Sequence, residues 1–281
     1  MAKQAIMKVW NVELGLAVHI KAPNGKYIVI DLGATNDFSP LLTLRNKEVG
    51  YMVITHPHKD HIDDISYINY AKPHVLWRVN SFSRKELLEG AKTQADRDIF
   101  NKYCDFEESY TGTVSERNDP SSINPFDGLT AKVFATTECG KSNINNFSAI
   151  VVVNFSNIKI VICGDNERAS FNKLMESMEF QSAITGADIL IAAHHGRASG
   201  YHTDFVDMVN PKLTIVSDTQ DSDTTASDRY SKKSSGWNVF DRDGKSEMRK
   251  CLTTRKDGNI EVTFGELNKS NQVLLHVKKG M

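Results

Sequence analysis

The chain has 281 residues, of which 40% are hydrophobic and 25% charged, and its formal net charge is −1. This length suffices for one large α/β domain or two small ones, with a core that needs no disulfides. The near-neutral charge argues against tight, sequence-independent binding of duplex nucleic acid, and no apolar run approaches the roughly 18 residues of a membrane span. Residues 1–10 lack the apolar core of a signal peptide, and the four cysteines have no paired spacing. We therefore expect a cytoplasmic protein with reduced thiols and no membrane contact.

Short apolar strands recur along the chain, with helical segments between them. Several are continuous β-branched runs, which is typical of strands covered on both faces. Strands are predicted at Lys26–Leu32, Tyr51–Thr55, Ala131–Thr136, Ser148–Phe155, Lys159–Cys163, Asp188–Ala193, Leu213–Ser217, Asn259–Phe264 and Val273–Val277. Helices are predicted at Ser170–Phe180 and Asp204–Asn210, and a helical insertion at about residues 81–110. This order predicts an α/β fold, a four-layer α/β/β/α sandwich, in a single domain of residues 1–281.

The segment His56–His61 reads HPHKDH and follows the predicted strand Tyr51–Thr55 directly. A buried strand that ends in such a cluster delivers its side chains at the rim of a sheet, where metals are commonly bound. His56 and His58 lie two residues apart and can share one face of extended chain, while Asp60 and His61 can turn toward a second ion. The segment therefore predicts a site for two metals.

Further polar residues also follow apolar runs at their carboxyl side, namely Asp31, Asp165 and the pair His194-His195. With HPHKDH, these segments resemble the signature of the metallo-β-lactamase superfamily: an early D-x-G turn at Asp31–Gly33, a metal-bridging aspartate at Gly164-Asp165, and a late histidine ligand at His194–Gly196. The branch that the chain most resembles is the soluble hydrolase domain of the ComEC competence proteins, through Asn145, Asn146 and Ser148 and through residues 254–258. The resemblance covers about residues 9–264.

One departure from that branch lies near the start of the chain. The opening DVGQGD of the branch reads NVELGL here, at residues 11–16, so this loop lacks the acid and the amide. The membrane channel of the competence proteins has no counterpart in this sequence. DNA uptake is therefore not expected of this chain.

The resemblance implies two divalent metal ions, zinc or manganese. His56 and His58 are expected to bind the first ion, Asp60 and His61 the second, and Asp165 both. For the last ligand we choose His194, because it follows the buried strand directly. His195 then faces the substrate, where it protonates a leaving group or holds an oxyanion, and the reverse assignment stays open. Asp31 is expected to orient a histidine or the turn rather than to bind a metal.

The family usually has a third histidine on the first metal, but none lies between His74 and His194. Asn145 or Asn146 occupies the expected position. An amide oxygen is a weaker and harder ligand than imidazole, so the first position is expected to bind loosely or to favour manganese over zinc. The alternative is that these asparagines only shape a turn.

Two metals at such a site suit in-line displacement at phosphorus through a shared hydroxide, with Asp60, Asp165 and His195 as catalytic residues. The leading hypothesis is a phosphodiesterase or nuclease acting on nucleic acid or a nucleotide, in a bacterial defence or DNA-processing system with protein partners. One alternative is hydrolysis of a small ester or a cyclic nucleotide. Another is a regulatory or binding subunit with little turnover.

The insertion at residues 81–110 is predicted to form one amphipathic helix. Apolar residues recur every four positions, and Ser83 with Glu86 forms a potential capping box. We interpret this helix as a wall of the metal cleft, with Arg84 and Lys85 toward a polyanionic substrate. The polar tract Asp218–Gly236, which includes Arg229, is read as a mobile loop that could contact phosphate.

Overall fold

The computed structural model describes residues 2–219, 226–267 and 272–281. Its strands are β1 (Gln4–Val9), β2 (Val18–Lys21), β3 (Tyr27–Ile30), β4 (Val49–Ile54), β5 (Val75–Arg78), β6 (Thr130–Phe134), β7 (Ile150–Phe155), β8 (Ile158–Ile162), β9 (Ile189–Ile191), β10 (Leu213–Val216), β11 (Trp237–Phe240), β12 (Ser246–Arg249), β13 (Cys251–Thr253), β14 (Ile260–Glu266) and β15 (Val273–Lys279). Within the described residues they form a nine-stranded sheet, in the order β12-β11-β15-β14-β1-β2-β3-β4-β5, and a six-stranded sheet, in the order β13-β10-β9-β8-β7-β6.

The helices are α1 (Arg84–Glu89), α2 (Gln94–Glu108), α3 (Arg168–Leu174), α4 (Met178–Ile184), α5 (Thr203–Val209), α6 (Ser227–Lys233) and α7 (Thr254–Asp257). The main core lies between the two sheets, where residues such as Val53 and Ile160 are fully buried. A second core packs α3 to α6 on the outer face of the smaller sheet. A third packs α1 and α2 on the outer face of the larger sheet. The predicted four-layer sandwich is confirmed.

Two helical predictions were wrong in extent. The insertion forms two helices rather than one, because the first ends at Gly90 and a new capping box between Thr93 and Asp96 begins the second. The capping box at Ser83 and Glu86 is present. The predicted helix Ser170–Phe180 is likewise divided, since Ser177 caps a separate α4.

The tract read as a mobile loop also contains regular structure. Its residues 220–225 lie outside the described part of the chain, but α6 follows from Ser227 and carries Arg229. No helix in the described ranges combines the length and the apolar character that crossing a membrane requires.

Candidate metal centre

The centre lies where the carboxyl ends of four strands meet. Strands β3 and β4 are parallel neighbours in the larger sheet, and β8 and β9 are parallel neighbours in the smaller one. Asp31 follows β3, the HPHKDH segment follows β4, Asp165 follows β8, and the two late histidines follow β9. A backbone hydrogen bond from Ala149 N to Thr55 O, 2.9 Å long, joins the two sheets at this edge. Residues far apart in the sequence are thereby brought to one rim.

The connecting turns depend on unusual backbone conformations. Gly164 has φ +52°, and a Cβ there would lie 2.8 Å from the Cβ of Thr55, so this turn has no room for a side chain. His194 and His195 both have left-handed backbones, with φ of 48° and 52°. Such conformations are uncommon outside glycine and are concentrated at functional sites. Here they direct two consecutive imidazoles into the same centre.

Four side chains form a compact group at this rim: Asp60, His61, Asp165 and His195. Each offers one donor atom, and these atoms all lie within 4.8 Å of one another. His61 Nε2 is 3.2 Å from Asp165 Oδ1, and His195 Nε2 is 3.3 Å from Asp165 Oδ2. His195 Nε2 is also 3.3 Å from Asp60 Oδ2. Two imidazoles and two carboxylates at these distances can hold a divalent cation.

His195, and not His194, completes this group of four residues. The ring of His195 is drawn into the group because its Nδ1 lies 3.0 Å from the carbonyl oxygen of Ser217, at the end of β10. The ring is only 3% exposed. The structure thus places His195 among the donor side chains, and the role toward a substrate that the sequence suggested for it stays a prediction.

Asp31 holds the ring of His61 in place. Its Oδ2 lies 2.6 Å from His61 Nδ1, and its carboxylate accepts hydrogen bonds from the backbone and the hydroxyl of Thr55 at 2.6 and 2.7 Å. A histidine that donates its Nδ1 proton to a carboxylate presents the lone pair of Nε2 to a metal. The fully buried Asp31 thus has the contacts of an orienting group.

The first histidine of the motif also approaches Asp165, and it contacts the second. His56 Nε2 lies 3.9 Å from Asp165 Oδ2 and 3.0 Å from His58 Nδ1. The Nδ1 of His56 lies 3.3 Å from the hydroxyl oxygen of Thr55. Asp165 is therefore within 4 Å of nitrogens from both halves of the motif, His56 in one and His61 in the other.

The electrostatics of the group suit a cation. Burial disfavours the charged rings, but the neighbouring carboxylates, Asp165 foremost, together outweigh it and raise the pKa of His61 well above its usual value and that of His195 to about 9. Burial also opposes the charged carboxylates, yet the neighbouring histidines hold the pKa values of Asp60 and Asp165 low. Because the paired carboxylates attract positive charge and the imidazoles offer nitrogens, the donor set fits a divalent metal.

The two asparagines have different contacts. Asn146 Oδ1 accepts a hydrogen bond from the backbone N of Ser170, 3.2 Å away, and so supports the first turn of α3. Asn145 Nδ2 donates to Glu167 Oε1 at 3.2 Å, while the buried Oδ1 of Asn145 has no hydrogen-bond partner. The oxygen of Asn146 is thus engaged by the backbone, and that of Asn145 is available.

Sequence reasoning missed Glu167. Its Oε1 lies 3.0 Å from His194 Nδ1, so it contacts a residue that is 27 positions away in the chain. The signal available in the sequence was its position, two residues after Asp165 on the turn that leaves β8.

Two hollows open beside the centre. One, of about 760 Å³, is lined by Asn146, Glu167, Arg168, Tyr201, His202 and Arg229 among others. The guanidinium of Arg229 lies 5.6 Å from the ring centre of Tyr201. His202 forms part of the wall, where its Nδ1 accepts from Phe205 N at the start of α5.

The second hollow, of about 660 Å³, adjoins the motif itself. It is lined by His58 and Asp60 and by side chains of the insertion and of the segment before β7, including Phe82, Leu87, Lys92, Phe100 and Lys141. The insertion therefore borders the centre, as the sequence suggested. Arg84 does not line this hollow, because it pairs with Asp105 and Glu108 of α2 at 2.6 and 2.9 Å.

The fold and the His/Asp centre define a metal-dependent hydrolase scaffold. The family model described as "Metallo-beta-lactamase superfamily" matches residues 11–217, and the chain belongs to this superfamily. The superfamily predicted from the sequence is thus confirmed, whereas the ComEC-type branch stays a prediction. No curated protein matches the chain significantly.

Solved structures with the same fold are distant in sequence. The metallo-beta-lactamase fold protein YhfI from Bacillus subtilis is 12% identical, with a TM-score of 0.45 over 77% of this chain and 88% of that one. The Zn(2+)-bound PqqB from Methylobacterium extorquens is 10% identical, with a TM-score of 0.45 over 85% of each chain. A long form of RNase Z from yeast is 12% identical, with a TM-score of 0.39 over 79% of this chain and 38% of that one.

Proposed function

We propose that this hydrolase is a phosphodiesterase that uses two divalent cations and acts on nucleic acid or a nucleotide. The observation that carries the proposal is the donor set around Asp165, which borders a hollow with two phenylalanines and three lysines. A second hollow, with two arginines, adjoins the centre through Glu167, which contacts His194. Cations suit phosphate, and aromatic rings suit nucleobases. The ComEC-type residues of the sequence support the same substrate class.

Each residue of the centre has a distinct proposed role. Asp60, His61 and His195 hold one cation, His56 and His58 contribute to the other, and Asp165 belongs to both. When bound, the cations supply Lewis-acid stabilisation of phosphate oxygens and lower the pKa of water. Asp60, whose carboxylate is 25% exposed and borders the second hollow, is suitably located to accept a proton from the attacking water at the oxygen that does not bind the cation. His195 keeps a structural and ligating role.

The flanking hollows suggest how a substrate lies. In the first, Arg168 and Arg229 are suited to the phosphate next to the scissile one. In the second, Phe82 and Phe100 offer surfaces for a base, and the ammonium of Lys141 lies 5.4 Å from the ring centre of Phe82. We propose that a single strand extends from one hollow to the other.

The proposal is tested by incubating the purified protein, with zinc or manganese, with single-stranded DNA, duplex DNA, RNA and cyclic nucleotides in parallel. We expect metal-dependent cleavage of single-stranded or end-exposed nucleic acid and no cleavage in chelator. Hydrolysis of none of these substrates by protein shown to contain metal would overturn the proposal.

The size of the hollows also favours a second candidate. Cavities of 300–1,000 Å³ are typical for small ligands, and both hollows fall within this range. A cyclic nucleotide or a small ester is therefore the alternative substrate. Cleavage of cyclic nucleotides but not of single strands, in the same assay, would favour it.

The metal content should depend on the compact group. The double variant Asp60→Ala with His61→Ala lacks two of the four residues of this group, so we expect it to lose about one divalent ion per molecule. Elemental analysis of protein prepared without chelator measures this. A double variant with unchanged metal content would show that this group holds no ion. Asp63→Ala with His74→Ala, which changes the same residue types outside the group, is the control.

Lys92 and Lys141 line the hollow beside the insertion. The double variant Lys92→Ala with Lys141→Ala should therefore raise KM for a single-stranded polyanion about threefold to tenfold. Exposed charge contacts contribute up to about 1 kcal/mol each. The dependence of KM on salt should weaken as well. Kinetics at several salt concentrations measure both effects.

The matched control is Lys85→Ala, which removes one positive charge from α1 at an exposed position that does not line the hollow. We expect its KM and salt dependence to stay at the wild-type values. If the double variant behaves like this control, the hollow does not contact the substrate backbone.

A further inference from the structure

Three histidines outside the His56-His58 pair share one pattern of contacts. In each, Nδ1 lies within hydrogen-bond distance of an oxygen and Nε2 lies within 4 Å of Asp165. His61 does so through Asp31, and His195 through the carbonyl of Ser217. His194 is the third case, because its Nδ1 is 3.0 Å from Glu167 Oε1 and its Nε2 is 3.8 Å from Asp165 Oδ2. The pattern is that of a histidine prepared to bind a metal through Nε2.

Neighbouring contacts indicate that His194 carries its proton on Nδ1 and its lone pair on Nε2. Arg197 Nη1 lies 3.4 Å from His194 Nε2, and a guanidinium can only donate, so Nε2 carries the lone pair. The proton then sits on Nδ1, which faces Glu167 and the hydroxyl of Ser199, each 3.0 Å away.

Glu167 is itself held in position. Asn143 Nδ2 donates to its Oε2 at 2.8 Å, and Asn145 Nδ2 donates to its Oε1 at 3.2 Å. Two neutral donors orient the carboxylate and leave its charge uncompensated, so it can polarise the ring of His194. Asn145, one of the two candidates for the place of the missing histidine, thus acts on a different histidine through Glu167.

We propose that His194 supplies the third imidazole of the first metal position, with His56 and His58, and so replaces the histidine that is absent between His74 and His194. The tandem histidines are then divided between the two positions, His194 at the first and His195 at the second. Glu167 is a positioning residue that acts through His194. The inference rests on the two-cation centre proposed above and deepens it. With three imidazoles at the first position, a preference for manganese over zinc no longer follows.

The test is calorimetric titration of the metal-free full chain with Zn²⁺, repeated with Co²⁺ while the visible absorption of each bound ion is recorded. The wild type is expected to show two binding events. His194→Ala should weaken one event by at least about a hundredfold and change only that absorption component. His195→Ala should affect the other event, and Glu167→Gln should weaken the same event as His194→Ala by about tenfold to a hundredfold.

Three further variants serve as controls. His202→Ala removes a histidine that borders the same hollow but is bonded to Asn172, and it should bind both ions normally. Asn145→Asp keeps an oxygen where the buried Oδ1 lies, whereas Asn145→Ala removes it. If Asn145→Ala abolishes the first event while His194→Ala leaves it intact, the amide is the ligand and the proposal is overturned.

Two other results of the titration would overturn the proposal. These are a wild-type chain that binds a single ion and a His194→Ala variant in which both binding events are unchanged. Loss of one event with retention of the other reports a folded variant, so a collapsed protein is not mistaken for a supporting result. Two ions bound in the expected way by a protein that cleaves no phosphodiester would uphold this inference and overturn the proposed function.

Discussion

Asp165→Ala is expected to lower turnover by on the order of a thousandfold or more while the chain keeps its fold. The carboxylate of Asp165 lies within 4 Å of nitrogens from both halves of the motif, so its loss removes a donor from each proposed cation position. Several kcal/mol of transition-state stabilisation depend on paired cations, and each 1.4 kcal/mol corresponds to a factor of ten in rate. Steady-state kinetics at saturating metal measure the loss.

The fold should survive because the histidine rings keep their other contacts. Asp31 still holds His61, and the carbonyl of Ser217 still holds His195. Circular dichroism and a melting curve verify this point. Asp165→Asn is the matched variant, because it preserves the shape and removes the charge. If Asp165→Ala retains more than a tenth of the wild-type activity, Asp165 does not connect the two cation positions.

The sequence predicted those parts of the centre whose residues lie close to one another, or close to an apolar strand, along the chain. The motif around His58 and the turn at Asp165 follow strands whose apolar character is evident locally. The continuous runs of β7 and β8 likewise reveal two buried strands without any knowledge of their partners. Local patterns suffice where the neighbours in space are also neighbours in sequence.

The parts that could not be predicted depend on tertiary contacts. The placement of His195 is determined by Ser217, which is 22 residues away in the chain. It also depends on two left-handed backbone conformations, which a pair of consecutive histidines does not predict. Glu167 acquires its role only when α3 begins beside His194. Strand β2 has four residues and buries a histidine, so its periodicity is too short to be recognised. The division of the insertion follows from a competing cap at Thr93, which outweighs the four-residue apolar repeat.

Gly15→Ala is expected to destabilise the chain by about 3 kcal/mol or more and to weaken metal binding at least tenfold, although Gly15 contributes no side chain to the centre. Its φ is +120°, and a Cβ there would lie 2.2 Å from the backbone oxygen of Asp60. The carbonyl of Gly15 also accepts a hydrogen bond from Ser217 Oγ, 2.7 Å long. A methyl group must therefore push against the residue that carries Asp60 and disturb the one that holds His195. Thermal melting and zinc titration measure the two effects.

The chain offers a matched control for the backbone strain. Gly25 also has a left-handed conformation, φ +87°, but a Cβ there meets no atom within 4 Å. Gly25→Ala should therefore cost about 1–2 kcal/mol of stability, from the backbone alone, and leave metal binding unchanged. The difference between the two variants isolates the contact with Asp60. Equal stability and wild-type zinc affinity in both would mean that the NVELGL loop tolerates displacement, and that its departure from the DVGQGD sequence has no bearing on the geometry of the centre. A loss of stability and zinc affinity in Gly15→Ala alone would show that this loop holds Asp60 in position through the close approach of the Gly15 backbone.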